Sequence, residues 1–223
     1  MKSIKIDLHV HTYHSHDSNM KPEDLISRAR SLGLDAIAVV DHKTVSGALE
    51  TMEKAKGTGL LIIPGQEVMT NEGEIIALGV TNDIDNYNDL VNTCKQIKKH
   101  NGFVIVPHPF DRFRSGIGDS INNILNYVDA VEAFNSRNLF DRFNQKAAEI
   151  AKRNKIPIVA GSDAHFPKEL GNAYIILDCE PTQESIFKAI RTNKIGLVTN
   201  KTGLKRYPKT LAIKIKKKLL DQK

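Results

Sequence analysis

Cysteine is nearly absent: the 223 residues hold two, Cys94 and Cys179, and they form no C-x-x-C pair. That argues against a disulfide scaffold or a thiolate zinc site and fits a reducing compartment. No run approaches the roughly 18 apolar residues of a membrane span. Asp7 and His9 interrupt the first ten residues, where a secretory signal would be apolar. Internal repeats, low-complexity segments and an obvious linker are also missing before Lys201. The expectation is a cytoplasmic protein without a membrane span, with one domain over 1–200 and a tail over 201–223. Acid is what the tail lacks: nine Lys/Arg stand against Asp221 alone, a charge of +8 in a chain whose net charge is +6. Residues 1–200 are therefore slightly acidic. The basic balance belongs to the tail and does not make the domain a nucleic-acid binder.

What is present is an alternation. Apolar β-rich runs at 4–10, 36–40, 60–63, 75–80, 103–106, 130–134, 158–160 and 174–177 are separated by segments of helical period. Those segments cover 22–32, 45–56, 90–100, 144–154 and 183–192, the first with Pro22, Glu23 and Asp24 in its opening turn and Gly33 as its stop. Repeated β-then-α units imply a mostly parallel sheet with helices outside, and seven or eight of them favour a barrel. The Ile75 run follows "TNEGE", too short for a crossover helix, so it is expected to form a hairpin with 60–68.

The polar residues fall at the ends of these strands. "DLHVHTYHSHDS" places His9 and His11 two apart on one face of the first strand, with Leu8 and Val10 expected on the other. Asp41 and His42 end the second strand, Glu67 the third, His108 another in "VIVPHP", and Asp163 and His165 a later one in "VAGSDAH". In a β/α barrel these ends open onto one rim, where active sites are built. His, Asp and Glu without Cys suit zinc, manganese or iron, and a shared carboxylate such as Glu67 suits a two-metal site. A lone strand-end His or Asp is usually structural. The convergence of five of the eight histidines, each with a carboxylate nearby, is what points to metal.

"DLHVHTYHSHDS", "AVVDHKTVSGAL", "PGQEV", "VPHPFDRFRSGIG" and "GSDAH" occur in an order that resembles the PHP superfamily, named for polymerase and histidinol phosphatase. "GSDAHFPKELGNAY" and the helix after it look like the C-terminal segment of short PHP proteins. The resemblance covers roughly residues 1–200. It implies a distorted (β/α)7 TIM-like barrel with two or three metal ions. Carried over by position, it makes His9, His11 and Asp163 ligands of a first metal and Glu67 a bridge to a second on His108. Asp17, His42 and His165 resemble the ligands of a third. Two departures stand out: Glu74 occupies a position where many relatives have His, and Asp17 one where some do. His14 and His16 match no ligand position and are expected in solvent or near substrate. His100, in "KKHNG", is expected to close a helix.

Around this rim, Lys43, Arg112, Arg114 and Arg137 are candidate phosphate contacts, since arginine suits bidentate binding of non-bridging oxygens. The competing role is a salt bridge to an acid such as Asp111 or Asp119. Asn135 is a candidate for orienting substrate or water. Asp41 is a candidate either for fixing an imidazole or, with His42 and His165, for catalysis. The expected activity is hydrolysis of a small phosphomonoester or nucleotide through a metal-bridging hydroxide. The alternatives are a 3′-end nuclease or phosphatase on nucleic acid aided by the tail, and a non-catalytic metal-binding PHP module. The tail, with Leu211, Ile213, Ile215, Leu219 and Leu220, reads as a solvated, frayed helix, although docking on the barrel, on a phosphate backbone or on an anionic membrane fits its composition.

Overall fold

The computed structural model describes residues 3–203, 210, 212, 213, 216 and 217. Of the tail residues named above, Leu211, Ile215, Leu219 and Leu220 lie outside the described residues.

Within described residues 3–203 the alternation of the sequence is realised as nine strands and five α-helices. In chain order these are β1 (Ser3–Val10), α1 (Pro22–Ser31), β2 (Ala36–His42), α2 (Ser46–Lys54), β3 (Leu61–Met69), β4 (Glu74–Leu78), α3 (Leu90–Lys99) and β5 (Phe103–Val106). They continue with β6 (Ala130–Asn135), α4 (Asp141–Asn154), β7 (Ile158–Gly161), β8 (Ala173–Asp178), α5 (Gln183–Arg191) and β9 (Gly196–Thr199). A 3-10 turn at Gly118–Asn123 precedes β6. No described helix is long and apolar enough to cross a membrane.

The strands form one sheet in the order β7-β6-β5-β4-β3-β2-β1-β8-β9. It curls until the chain beyond β7 meets the end of β1, where Val10 bridges Ala164 and His11 N–H donates to Ala164 O at 2.9 Å. The result is a nearly closed barrel. It is the expected distorted barrel, and its sheet is mixed. The predicted hairpin makes β3–β4 antiparallel, and β4–β5, β1–β8 and β8–β9 are antiparallel as well.

Burial explains which faces point inward. Ile4, Ile6 and Leu8 of β1 join Ala36, Ala38 and Val40 of β2 in an interior group, into which α5 sends Ile186, Phe187 and Ile190. Phe187 stacks on Phe103 at 4.6 Å between centroids. Alternate residues, such as Ile37 and Val39, face outward onto α1 and α2. Each fully buried aliphatic side chain contributes about 1.5–3 kcal/mol.

One expectation fails here. Leu8 shares the interior with Ile4 and Ile6, whereas Val10 packs outward beside Leu25 and Ala29. Pairing of β1 with β2 shifts register between Asp7 and Val10. A bulge of this kind re-aims the side chains beyond it. His9 and His11 consequently turn inward although Leu8 does so too.

Candidate metal centre

The ends of the parallel strands deliver their polar residues to a single cavity of about 310 Å³, lined by Asp17, His42, Glu67, Glu74, His108, Asp163 and His165 among others. His9 and His11 are buried beside it. The parallel register sets His42 opposite Glu67. Three of the loops that follow strands turn through the left-handed region at non-glycine residues, Lys43 (φ 68°), His108 (φ 26°) and Asp163 (φ 54°). Such backbone costs on the order of 1 kcal/mol each and persists where surrounding structure over-determines it. Asp163 and His108 are two of the residues it aims at the cavity.

Four groups converge most tightly. His9 Nε2 lies 3.1 Å from His11 Nε2, 3.5 Å from Glu67 Oε1 and 3.7 Å from Asp163 Oδ1. His11 Nε2 lies 3.4 Å from both Glu67 Oε2 and Asp163 Oδ1. Bonds of about 2.0–2.2 Å from zinc to nitrogen and oxygen correspond to tetrahedral edges of about 3.3–3.6 Å. Each acid thus stands at ligand spacing from the two histidines. Glu67 also reaches a second group: His108 Nε2 stands 3.1 Å from Oε1, and His42 Nδ1 3.1 Å from Oε2. Glu74 completes that group at 3.5 Å from His42 Nδ1 and 3.8 Å from His108 Nε2, carried there by the β3–β4 hairpin. In a third group, Asp17 Oδ1 faces His165 Nε2 at 3.2 Å and His42 Nε2 at 3.6 Å.

The imidazoles are held from behind. His9 Nδ1 is 3.0 Å from Glu132 Oε1, and His165 Nδ1 is 2.9 Å from the carbonyl of Asp163. Both contacts put the proton on Nδ1 and leave Nε2 for the cavity. His11 follows the same logic through two residues. Ser15 Oγ donates to Asp41 Oδ1 at 2.6 Å, so toward His11 Nδ1, 3.1 Å away, it acts as acceptor. Asp41 is buried with its oxygens also taking the N–H and hydroxyl of Thr12. Thr12 and Ser15 thus take up both of its carboxylate oxygens.

With both Nδ1 atoms so committed, the facing Nε2 atoms of His9 and His11 need a proton or a cation between them. The metal-free charges balance only through protons. Burial lowers His42, but Glu67 and Asp17 outweigh it and raise the imidazole to about 10. Burial and then Glu67 push Glu74 up to about 8. Burial and the neighbouring His165 bring His11 down to about 3. At Glu67 burial favours the neutral acid, yet the charges of His9 and His42 hold it well below the carboxylate range. Buried oxygen and nitrogen donors in this number suit divalent cations, which take ligands in deprotonated form.

Of the expected phosphate contacts, Arg114 and Arg137 line the cavity. Arg114 pairs with Asp163, lies 3.2 Å from Asp111 Oδ2 and donates to Asn135 Oδ1 at 3.0 Å. Arg137 is buried, 3.4 Å from Glu169 Oε2. Arg112 and Lys43 are exposed outside it, Lys43 lying 4.9 Å from the Tyr87 ring. Asn135 is saturated by protein, its amide donating to Glu132 and Asp163 while its oxygen accepts from Arg114 and from Arg137 N–H. It therefore orients side chains of the site and leaves no amide for substrate. His14 pairs with Glu50 at 2.8 Å, away from the cavity that His16 lines. His100 caps α3.

Sequence reasoning missed Glu132 and Ser15. Glu132, in "AVEAFN", was visible only as a charge inside an apolar strand, which is a signal in itself. Ser15 carried none.

Comparison with known proteins bears on the family and the fold. Residues 141–195 match the PHP-associated family. An uncharacterized protein of Methanocaldococcus jannaschii is 34% identical over 143 residues, spanning 60% of this chain and 82% of its own length. A 5′-3′ exoribonuclease of Haemophilus influenzae is 39% identical over 67 residues, 30% of this chain and 24% of that protein. Among solved structures, a two-domain protein of Bacteroides vulgatus containing a predicted PHP-like metal-dependent phosphoesterase superposes with a TM-score of 0.77 at 18% identity, over 97% of this chain and 70% of that one. The strand-end residues, the near-closed barrel and these likenesses together place the chain in the PHP superfamily.

Proposed function

We propose that the protein is a metal-dependent phosphoesterase acting on a small phosphomonoester or nucleotide. The observation that carries this reading is the spacing of Glu67 and Asp163 about the paired Nε2 atoms of His9 and His11, with Glu67 shared with His108, His42 and Glu74. Those residues, with Asp17 and His165, would hold two or three divalent ions of zinc, manganese or iron. When bound, such ions supply Lewis acidity and a water of lowered pKa. Everything else is the work of the chain. Glu132 and Ser15 orient His9 and His11, and Arg114 and Arg137 present guanidinium groups to a phosphate. His165 and His42 line the same cavity and, with Asp17, would hold a third ion. A cavity of about 310 Å³ suits a small ligand.

Phosphate release by the purified chain with added manganese or zinc tests this, across phosphomonoesters, nucleotides and short oligonucleotides. His9→Ala and Asp163→Ala controls exclude contaminating phosphatase. Metal-dependent turnover absent from both variants is the expected result. No turnover on any substrate, with metal shown to be bound, would favour the non-catalytic module.

The second reading is hydrolysis at a nucleic-acid end. It draws on the exoribonuclease similarity and on Phe113, 72% exposed at the cavity wall, which offers a base a stacking surface. Preference for oligonucleotides over mononucleotides would select it.

A further inference from the structure

The C-terminal segment meets the site at two described residues. Thr210 lines the cavity and accepts from Arg137 Nη2 at 2.8 Å. Lys217 reaches the loop between β1 and α1, where Nζ donates to the carbonyls of Tyr13 at 2.6 Å, Ser15 at 2.7 Å and Ser18 at 2.6 Å. A lysine ammonium has three N–H donors, and here three backbone oxygens receive them. Expectation had the tail solvated; at these two residues it is seated on the rim.

Lys217 adds to the anchors the loop has in Asp41, which takes Thr12 and Ser15, and in Glu50, which takes Tyr13 and His14. Residues 11–20 contain no helix or strand, and two backbone bonds tie the loop to itself, Tyr13 N–H to Met20 O and Ser15 N–H to Thr12 O. Three carbonyl dipoles turned toward one point repel unless a positive charge lies among them. Yet the same loop supplies Ser15, which sets the tautomer of His11, and Asp17, which faces His42 and His165. A shift of the loop backbone would misdirect both.

We propose that Lys217 is a positioning residue of the site: its ammonium, seated on the carbonyls of Tyr13, Ser15 and Ser18, holds the loop in the shape that aims Ser15 and Asp17. The effect on metal rests on the metal-centre reading above, whereas the effect on the loop does not. Bulk charge is the competing explanation, since the tail is cationic throughout. Lys216, exposed and one residue away, separates the two.

Full-length parent, Lys217→Met and Lys216→Met are compared by hydrogen exchange of the 12–20 amides and by titration with cobalt(II), whose visible absorption reports its ligands. Lys217→Met is expected to speed loop exchange by about tenfold or more. It is also expected to weaken cobalt binding about 10–100-fold with an altered spectrum, the scale found for residues that support ligands from behind. Lys216→Met is expected to do neither. Unchanged loop exchange in Lys217→Met, or equal changes in the two variants, overturns the proposal. A parent that binds no cobalt overturns the metal reading, and the exchange comparison then decides the role of Lys217 by itself.

Discussion

Glu132 fixes two candidate ligands at once. Its Oε1 takes the Nδ1 proton of His9 and its Oε2 accepts the backbone N–H of His108 at 2.9 Å, as well as the Asn135 amide. Glu132→Gln keeps the volume but turns one of these acceptors into an N–H₂ donor, and either flip of the amide opposes an N–H. The expected outcome is metal affinity lower by about 10–100-fold and stability lower by about 1–3 kcal/mol. Titration calorimetry and urea denaturation measure the two separately. Equal metal affinity would mean that packing alone orients His9. The strand-end candidate ligands were legible because each is written in its own local segment, as in "VVDH" or "GSDAH". The supports behind them were not, since Glu132 meets His9 across 123 residues of chain.

At the scale of elements, the helices came within a few residues of their observed ends and the β3–β4 hairpin came where the short turn required it. The start of α4 shows the limit. Asn144 read as the first residue, but α4 begins at Asp141, and Asn144 sits inside its first turns with Oδ1 accepting Asn135 N–H at 3.1 Å. A polar residue serving a distant loop is indistinguishable in sequence from one serving its own helix. The bulge in β1 was equally invisible, because alternation predicts opposite faces for Leu8 and His9. Strand ends also carry a steric demand. A Cβ on Gly161 at the end of β7 would collide with Glu132 Oε1 and lie 2.5 Å from His9 Cβ. Gly161→Ala is therefore expected to cost about 1–3 kcal/mol, as overpacking does, and to reduce metal binding through His9. A variant as stable as the parent, by thermal denaturation, would show that the strand has room to shift. Capping offers a test remote from the site. Thr182 accepts from Ser185 N–H at the start of α5, and Thr182→Ala should cost about 1 kcal/mol without changing metal affinity.

At the scale of the whole molecule, the cluster ties stability to ligand. The chain gathers Asp17, Glu67, Glu74 and Asp163 into one cavity at the rim of an apolar barrel core. Among the described residues these acids are answered by histidines, Arg114 and the Asn135 amide. The unfolded chain scatters them and binds metal weakly, so metal should stabilise the folded state by mass action. At a hundredfold excess over Kd the gain is about 2.7 kcal/mol. For a chain of this size each kcal/mol moves Tm by about 2–4 °C, so manganese or zinc should raise Tm by about 5–10 °C and EDTA should reverse it. Alkylation gives an independent reading of the same transition. Burial pushes the Cys94 thiol up to about 12, and Cys179 is buried as well, so both should resist iodoacetamide at pH 8 until the chain unfolds. Added metal should then slow alkylation in the parent and leave Asp163→Ala unaffected. A Tm shift that persists in Asp163→Ala would move the binding away from the His9–His11 group toward Asp17 and His42, whose 3.6 Å spacing does not involve that carboxylate.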